Sequence, residues 1–166
     1  MRIRDNSFFL ISLIIETMGC YNSIVIDAPV GKVWDVLRNF HDLTWGRNVI
    51  AKVEMVGDKA FYEIGAKRIT NDVFFETLLS FDNHAKTYSY SIDDGPGVVS
   101  KDNVKGYVAQ LTVFPVTENN TSFVLWTSKW DSAKEEGVAE FCNPLYQALL
   151  QDLKTHFIDA PELPGI

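Results

Sequence analysis

The feature that most constrains this chain lies near its C-terminus. Val138, Phe141, Cys142, Leu145, Tyr146, Leu149, Leu153 and Phe157 recur at three- and four-residue intervals and form one continuous apolar stripe. The stripe predicts an amphipathic helix of roughly six turns at ~3.6 residues per turn. Such a helix has to bury that face against another layer. Ser132-Ala133-Lys134-Glu135 fits a capping box, in which the Ser side chain takes an orphan amide and the Glu reaches back, so the helix is expected to start there. Pro161 and Pro164 follow its end.

The segments upstream supply the second layer. Residues 21–27 alternate and are β-branched, which reads as a strand. Ala28-Pro29 then opens a short helix, with Val30, Val33, Trp34 and Leu37 on one face and an end near Asn39. Residues 40–47 (FHDLTWGR) read as a loop or short helix. Strands are expected at 49–56, 60–70, 73–81, 87–92, 103–116 and 121–130. They are punctuated by Gly57-Asp58, Asn71-Asp72, Asp82-Asn83, the Gly/Pro-rich stretch 94–102 and Glu118-Asn119-Asn120. Strand, helix, several antiparallel strands and a long helix make an α+β chain: a helix-grip fold, with a curved antiparallel sheet wrapped around a long C-terminal helix. A length of 166 residues fits one domain. It is expected over 19–158, after an extension at 1–18 and before a tail at 159–166.

Charge and motif content narrow the function. Fifteen Lys and Arg against 22 Asp and Glu give a formal charge of −7, with no clustered basic surface for a phosphate backbone or an anionic membrane. No nucleic-acid partner and no stable membrane insertion are expected. Cys20 and Cys142 form no CxxC pair and read as reduced thiols, with Cys20 ahead of the first strand and Cys142 in the core. His41, His84 and His156 lack metal-ligand spacing; His41-Asp42 alone sits near the expected cavity entrance. No P-loop, GxGxxG or nucleophile elbow occurs, so neither a metal nor a cofactor is implied. Residues 8–15 (FFLISLII) are too short to span a bilayer. They read as part of an extension upstream of a start at Met18, with a signal or lipid anchor as the alternative. The expected location is the cytoplasm, as a monomer or homodimer.

Three stretches carry a family resemblance: residues 23–30 (SIVIDAPV) running into 33–37 (VWDVL), residues 64–68 (IGAKR), and residues 76–82 (ETLLSFD) followed by 88–92 (YSYSI). With 123–126 (FVLW), they resemble the SRPBCC, or START/Bet v 1-like, superfamily, in its polyketide cyclase/dehydrase branch, over about 21–157. The resemblance implies the helix-grip fold and a small hydrophobic ligand, with lipid carriage among the roles found there. Locally the pattern is also similar to the plant lachrymatory-factor synthases, which use an arginine and a glutamate, with a tyrosine nearby, on a small sulfenic acid. By motif those roles fall on Arg68, Glu76 and Tyr107. The Trp45-Gly46-Arg47 loop departs from the Trp-x-Pro of bacterial relatives.

The residues also argue a site directly. A hairpin turning at Asn71-Asp72 sets Arg68 opposite Glu76, and opposed residues share a face. On that face fall Tyr62, Ile64, Ala66, Phe74 and Leu78, a mostly apolar set expected to point inward. Tyr88, Tyr90 and Ile92 form a matching face, as do Tyr107, Ala109, Leu111 and Val113. Val124, Trp126, Ser128 and Trp130 are favoured as the inner face of the last strand. The expected ligand contacts are Tyr62, Ile64, Phe74, Leu78, Tyr88, Tyr90, Leu111, Trp126, Phe141 and Leu145, around a candidate catalytic set of Arg68, Glu76 and Tyr107.

Two readings stand beside each other. In one, the cavity binds a lipid, polyketide or aromatic metabolite. In the other, a cofactor-free cyclase, dehydratase or isomerase uses Arg68 to hold an oxygen, Glu76 to move a proton and Tyr107 to donate a hydrogen bond. A self-satisfied Arg68–Glu76 ion pair is the structural alternative to both roles. A third, regulatory reading would need the 94–102 stretch as a mobile gate.

Overall fold

Residues 19–159 are described by a computed structural model; the expectations for residues 1–18 and 160–166 lie outside them. β1 (Gly19–Ile26) leads into α1 (Val30–Leu37), whose Val33, Trp34 and Leu37 are buried as the helical spacing predicts. The later strands are β2 (Val53–Val56), β3 (Lys67–Thr70), β4 (Phe74–Asp82), β5 (Thr87–Asp94), β6 (Val104–Lys105), β7 (Val108–Val116), β8 (Thr121–Lys129) and β9 (Ser132–Ala133). α2 (Val138–Asp159) closes the described chain. Seven strands form one antiparallel sheet in the order β1-β8-β7-β5-β4-β3-β2, and β6 pairs with β9 apart from it. Two register shifts in β4 against β5 bend the sheet, as bulges do. α2 packs on β1 and on the 3-10 turn Thr44–Gly46. The expected α+β helix-grip arrangement is present, and Cys20 lies within β1 rather than ahead of it.

The β3–β4 register is the expected one, with Arg68 opposite Glu76. Its turn explains why. Asn71 and Asp72 both have positive φ, 51° and 61°, which suits a tight hairpin of matching twist. The Asn71 side chain does more than turn the chain. Its Oδ1 accepts from the Ala51 amide at 2.8 Å, and its Nδ2 donates to the Val49 carbonyl at 2.9 Å. Those bonds satisfy the backbone of residues 49–51, so pairing begins only at Val53, not at 49 as the alternation suggested.

Three further expectations are corrected. Residues 60–66 are not strand. The Glu63 amide donates to the Ala60 carbonyl and the Ala66 amide to the Glu63 carbonyl, which winds the segment into turns. Tyr62 and Ile64 consequently stand 53% and 55% exposed, away from the interior. The expected strand at 103–116 is two strands, broken at Gly106, where φ is +67° and a Cβ would collide with the Asp131 carboxylate.

The capping box at Ser132 does not start the last helix. Ser132 and Ala133 pair instead with Lys105 and Val104, and the Glu135 amide donates to Asn103 Oδ1 at 2.6 Å. Gly137, at φ +98°, then resets the backbone, and α2 opens with the Phe141 amide on the Gly137 carbonyl. The favoured inner face of β8 is buried throughout at Val124, Trp126 and Ser128, continuing to Trp130.

Candidate ligand cavity

Between the sheet and α2 lies a cavity of about 90 Å³. The sheet contributes Phe74, Tyr90, Ile92 and Trp126 to it, and α2 contributes Cys142, Leu145, Tyr146 and Leu149. Leu43, Val49 and Ile50, from the segment between α1 and β2, complete the apolar lining. Four polar residues reach it: Arg68, Thr70, Asn71 and Glu76.

Arg68 and Glu76 are 2% and 7% exposed, with Arg68 Nε donating to Glu76 Oε2 at 2.5 Å. Arg68 Nη1 donates to the Phe40 carbonyl at 2.7 Å. The guanidinium also sits 4.1 Å from the centroid of the Phe40 ring and 5.1 Å from that of Tyr90. An ion pair removed from water needs such additional partners, because desolvation alone costs several kcal/mol per ion (order of magnitude). Burial works against the guanidinium's charge, but Glu76 and the neighbouring tyrosines outweigh it and raise the Arg68 pKa. Burial raises the Glu76 carboxyl above the usual carboxylate range, with Arg68's charge opposing. Glu76 therefore holds a proton at higher pH than an exposed glutamate, a direction that suits a proton-transfer group.

The tyrosines divide into two sets. Tyr90 accepts a bond from Trp126 Nε1 at 3.2 Å, and both rings face the cavity. Tyr107 does not line it: its hydroxyl bonds to Ser128 Oγ at 3.0 Å and to the Tyr146 hydroxyl at 2.7 Å, and its ring stacks on Trp130. Tyr146, on α2, takes the place at the cavity wall that Tyr107 was expected to hold. Burial raises the pKa of Tyr90, Tyr107 and Tyr146 alike, so all three remain protonated hydrogen-bonding groups. Tyr88 packs against Trp34 and Phe40, and its hydroxyl has no hydrogen-bond partner among the described residues. Burial and then the charge of Arg68 lower the His41 pKa.

Of the residues expected to touch ligand, Arg68, Phe74, Glu76, Tyr90, Trp126 and Leu145 meet at the cavity. Leu78, Tyr88 and Leu111 are buried in the core instead of lining it. Phe141, in the first turn of α2, is 36% exposed and lines no part of the cavity. Thr70 was legible, sharing the Arg68 face by period two, and Tyr146 and Leu149 belonged to the apolar stripe. Leu43, Val49 and Ile50 come from irregular backbone and carried no periodic signal. The 94–102 stretch lines no part of this cavity. Val99 is buried, and Asp94 Oδ1 accepts from the Gly95 and Lys101 amides, so the stretch is tied down.

Among the described residues, no group of three or more His, Cys, Asp or Glu is placed to hold a metal ion, and no helix is long and apolar enough to cross a membrane. A family model described as "Polyketide cyclase / dehydrase and lipid transport" matches residues 20–157. The comparison with curated proteins found no match. Among solved structures, a protein of Nitrosospira multiformis is 42% identical, covering 84% of this chain and 95% of its own, with a TM-score of 0.80. XoxI from Bacillus cereus is 21% identical over 85% and 96% (TM-score 0.69), and a Thermobifida fusca protein is 20% identical over 84% and 93% (TM-score 0.72). The last two likenesses concern the fold alone.

Proposed function

The chain belongs to the polyketide cyclase/dehydrase and lipid transport family, and from that premise we propose that its cavity binds a small, largely apolar molecule whose one oxygen-bearing group meets Arg68. The carrying observation is a mostly apolar cavity with a single buried Arg–Glu pair on its wall. Its volume, about 90 Å³, selects among the ligands considered. An apolar cavity of ~150 Å³ accommodates benzene, so a cavity of this smaller size favours a short-chain carbonyl compound, then a one-ring aromatic admitted by small movements of the lining, over a lipid or an extended polyketide. The protein acts in the cytoplasm on this reading, without a metal or cofactor.

Benzaldehyde, benzoate and palmitate, titrated separately into the purified protein and followed by amide and side-chain NMR shifts, test this. Shifts at Tyr90, Trp126 and Leu149 with the two ring compounds, and none with palmitate, are expected. Palmitate binding more tightly than both would overturn it. Benzoate adds a pH signature. An anion beside Glu76 favours its protonated form, so binding takes up a proton, and benzoate affinity should fall as pH rises through the Glu76 pKa. Benzaldehyde affinity should change far less over the same range.

The raised Glu76 pKa also favours a second reading, cofactor-free isomerisation or dehydration of such a carbonyl compound, with Glu76 moving the proton and Arg68 holding the oxygen. Under it, Glu76→Gln lowers turnover by about 10²-fold or more at unchanged fold. Equal turnover by the variant would remove Glu76 from the chemistry.

A further inference from the structure

Cys20 and Cys142 lie 122 positions apart in sequence, yet both are buried and both are free thiols. β1 presents Cys20 and Asn22 on one face by period two. Asn22 Nδ2 donates to Asn143 Oδ1 at 2.8 Å, which pins β1 against α2 one residue beyond Cys142. At that contact the two thiols lie close enough to perturb each other's ionisation, and Cys20 stands opposite Ser128 in the β1–β8 pairing. Cys142 also lies near enough to Tyr107 to influence its hydroxyl, and it lines the cavity. The ligand-binding reading uses Cys142 only as cavity lining and gives the pair no chemistry.

We propose that Cys20 and Cys142 form an oxidisable pair that a peroxide converts to a disulfide, clamping α2 onto β1 at the end of the cavity. Cys142 lines the cavity, so an oxidant that enters it comes within one side chain of Cys20. The neighbouring Cys142 lowers the Cys20 pKa, against the effect of burial, a direction that favours the thiolate the reaction needs. The Cys20 thiolate attacks one peroxide oxygen, the O–O bond breaks, and hydroxide leaves, giving a sulfenic acid. The Cys142 sulfur then attacks the Cys20 sulfur, the S–O bond breaks, and the Cys142 proton leaves with the hydroxyl as water. Two thiols and one hydrogen peroxide give one disulfide and two waters. The product takes Cys142 out of its contact with Tyr107, and so links the oxidation state to the Tyr107–Tyr146 hydrogen bond at the cavity wall.

The test uses the full chain with stoichiometric hydrogen peroxide, then unfolding and alkylation without reductant. Intact mass should show the loss of two hydrogens and no alkylated thiol. Non-reducing peptide mapping should give one cross-linked peptide containing both cysteines. The guanidinium unfolding midpoint should rise on oxidation and return after dithiothreitol, since a long loop has been closed. Cys20→Ser should show neither the mass loss nor the midpoint shift. Two alkylatable thiols after peroxide, a sulfinic acid without cross-link, a disulfide between two chains, or an internal disulfide that leaves the midpoint unmoved would each overturn the proposal.

Discussion

Glu76→Leu is expected to cost roughly 3–5 kcal/mol of folding stability, because it strands the Arg68 guanidinium in the interior without its carboxylate. The remaining partners, the Phe40 carbonyl and the Phe40 and Tyr90 rings, orient that charge but do not neutralise it. The double variant Arg68→Met/Glu76→Leu should recover most or all of the loss, since the pair's mutual attraction is set against the desolvation of both ions. Urea unfolding of the native, single and double variants measures this. A single-variant cost below ~1 kcal/mol, typical of exposed pairs, would mean that water reaches the site freely. The pH dependence has a definite sign. Glu76 has a folded pKa above its unfolded one, so its contribution is fully present below the unfolded pKa and is lost as pH rises through the folded pKa. The Glu76→Leu variant should lack that decline.

Trp126→Ala is expected to cost about 3–5 kcal/mol as well, by a different route. The indole is among the largest fully buried side chains, packs on Trp45 and Tyr146, and donates to the Tyr90 hydroxyl. Truncation loses its transfer energy and leaves a void that the paired strands on either side of β8 cannot fill by collapsing. The same void extends the cavity, so the variant should bind naphthalene-sized compounds that the native protein excludes. Denaturant unfolding and NMR titration with naphthalene and benzaldehyde measure the two effects. Equal size preference in both proteins would show that Trp126 does not bound the ligand space.

Much of the fold was legible because each local signal matched its tertiary role. Asn71-Asp72 specifies a two-residue turn, and that turn alone fixes Arg68 against Glu76. Legibility failed where a side chain or a distant strand took over the backbone. Asn71 holds residues 49–51 off the sheet, and β6 captures Ser132 and Ala133 before the capping box can form. A capping box is worth on the order of 1 kcal/mol, less than a strand pairing that also orders the 103–106 and 131–135 segments together. The site was legible in part for the same reason. Residues on regular strands, Arg68, Phe74, Glu76, Tyr90 and Trp126, follow from alternation, whereas Leu43, Val49 and Ile50 do not.

The sequence by itself determined the layers, the inner faces of the regular strands and the Arg68–Glu76 register, because hydrophobic period and turn type act over a few residues. Tertiary structure decided the end of the apolar stripe that meets the sheet. It also decided that Tyr146 rather than Tyr107 reaches the cavity, and that Cys20 meets Cys142. Those outcomes depend on where α2 starts and how it lies against β1, and both are set by strand pairings and a positive-φ glycine outside the helix. No periodicity within the helix encodes them.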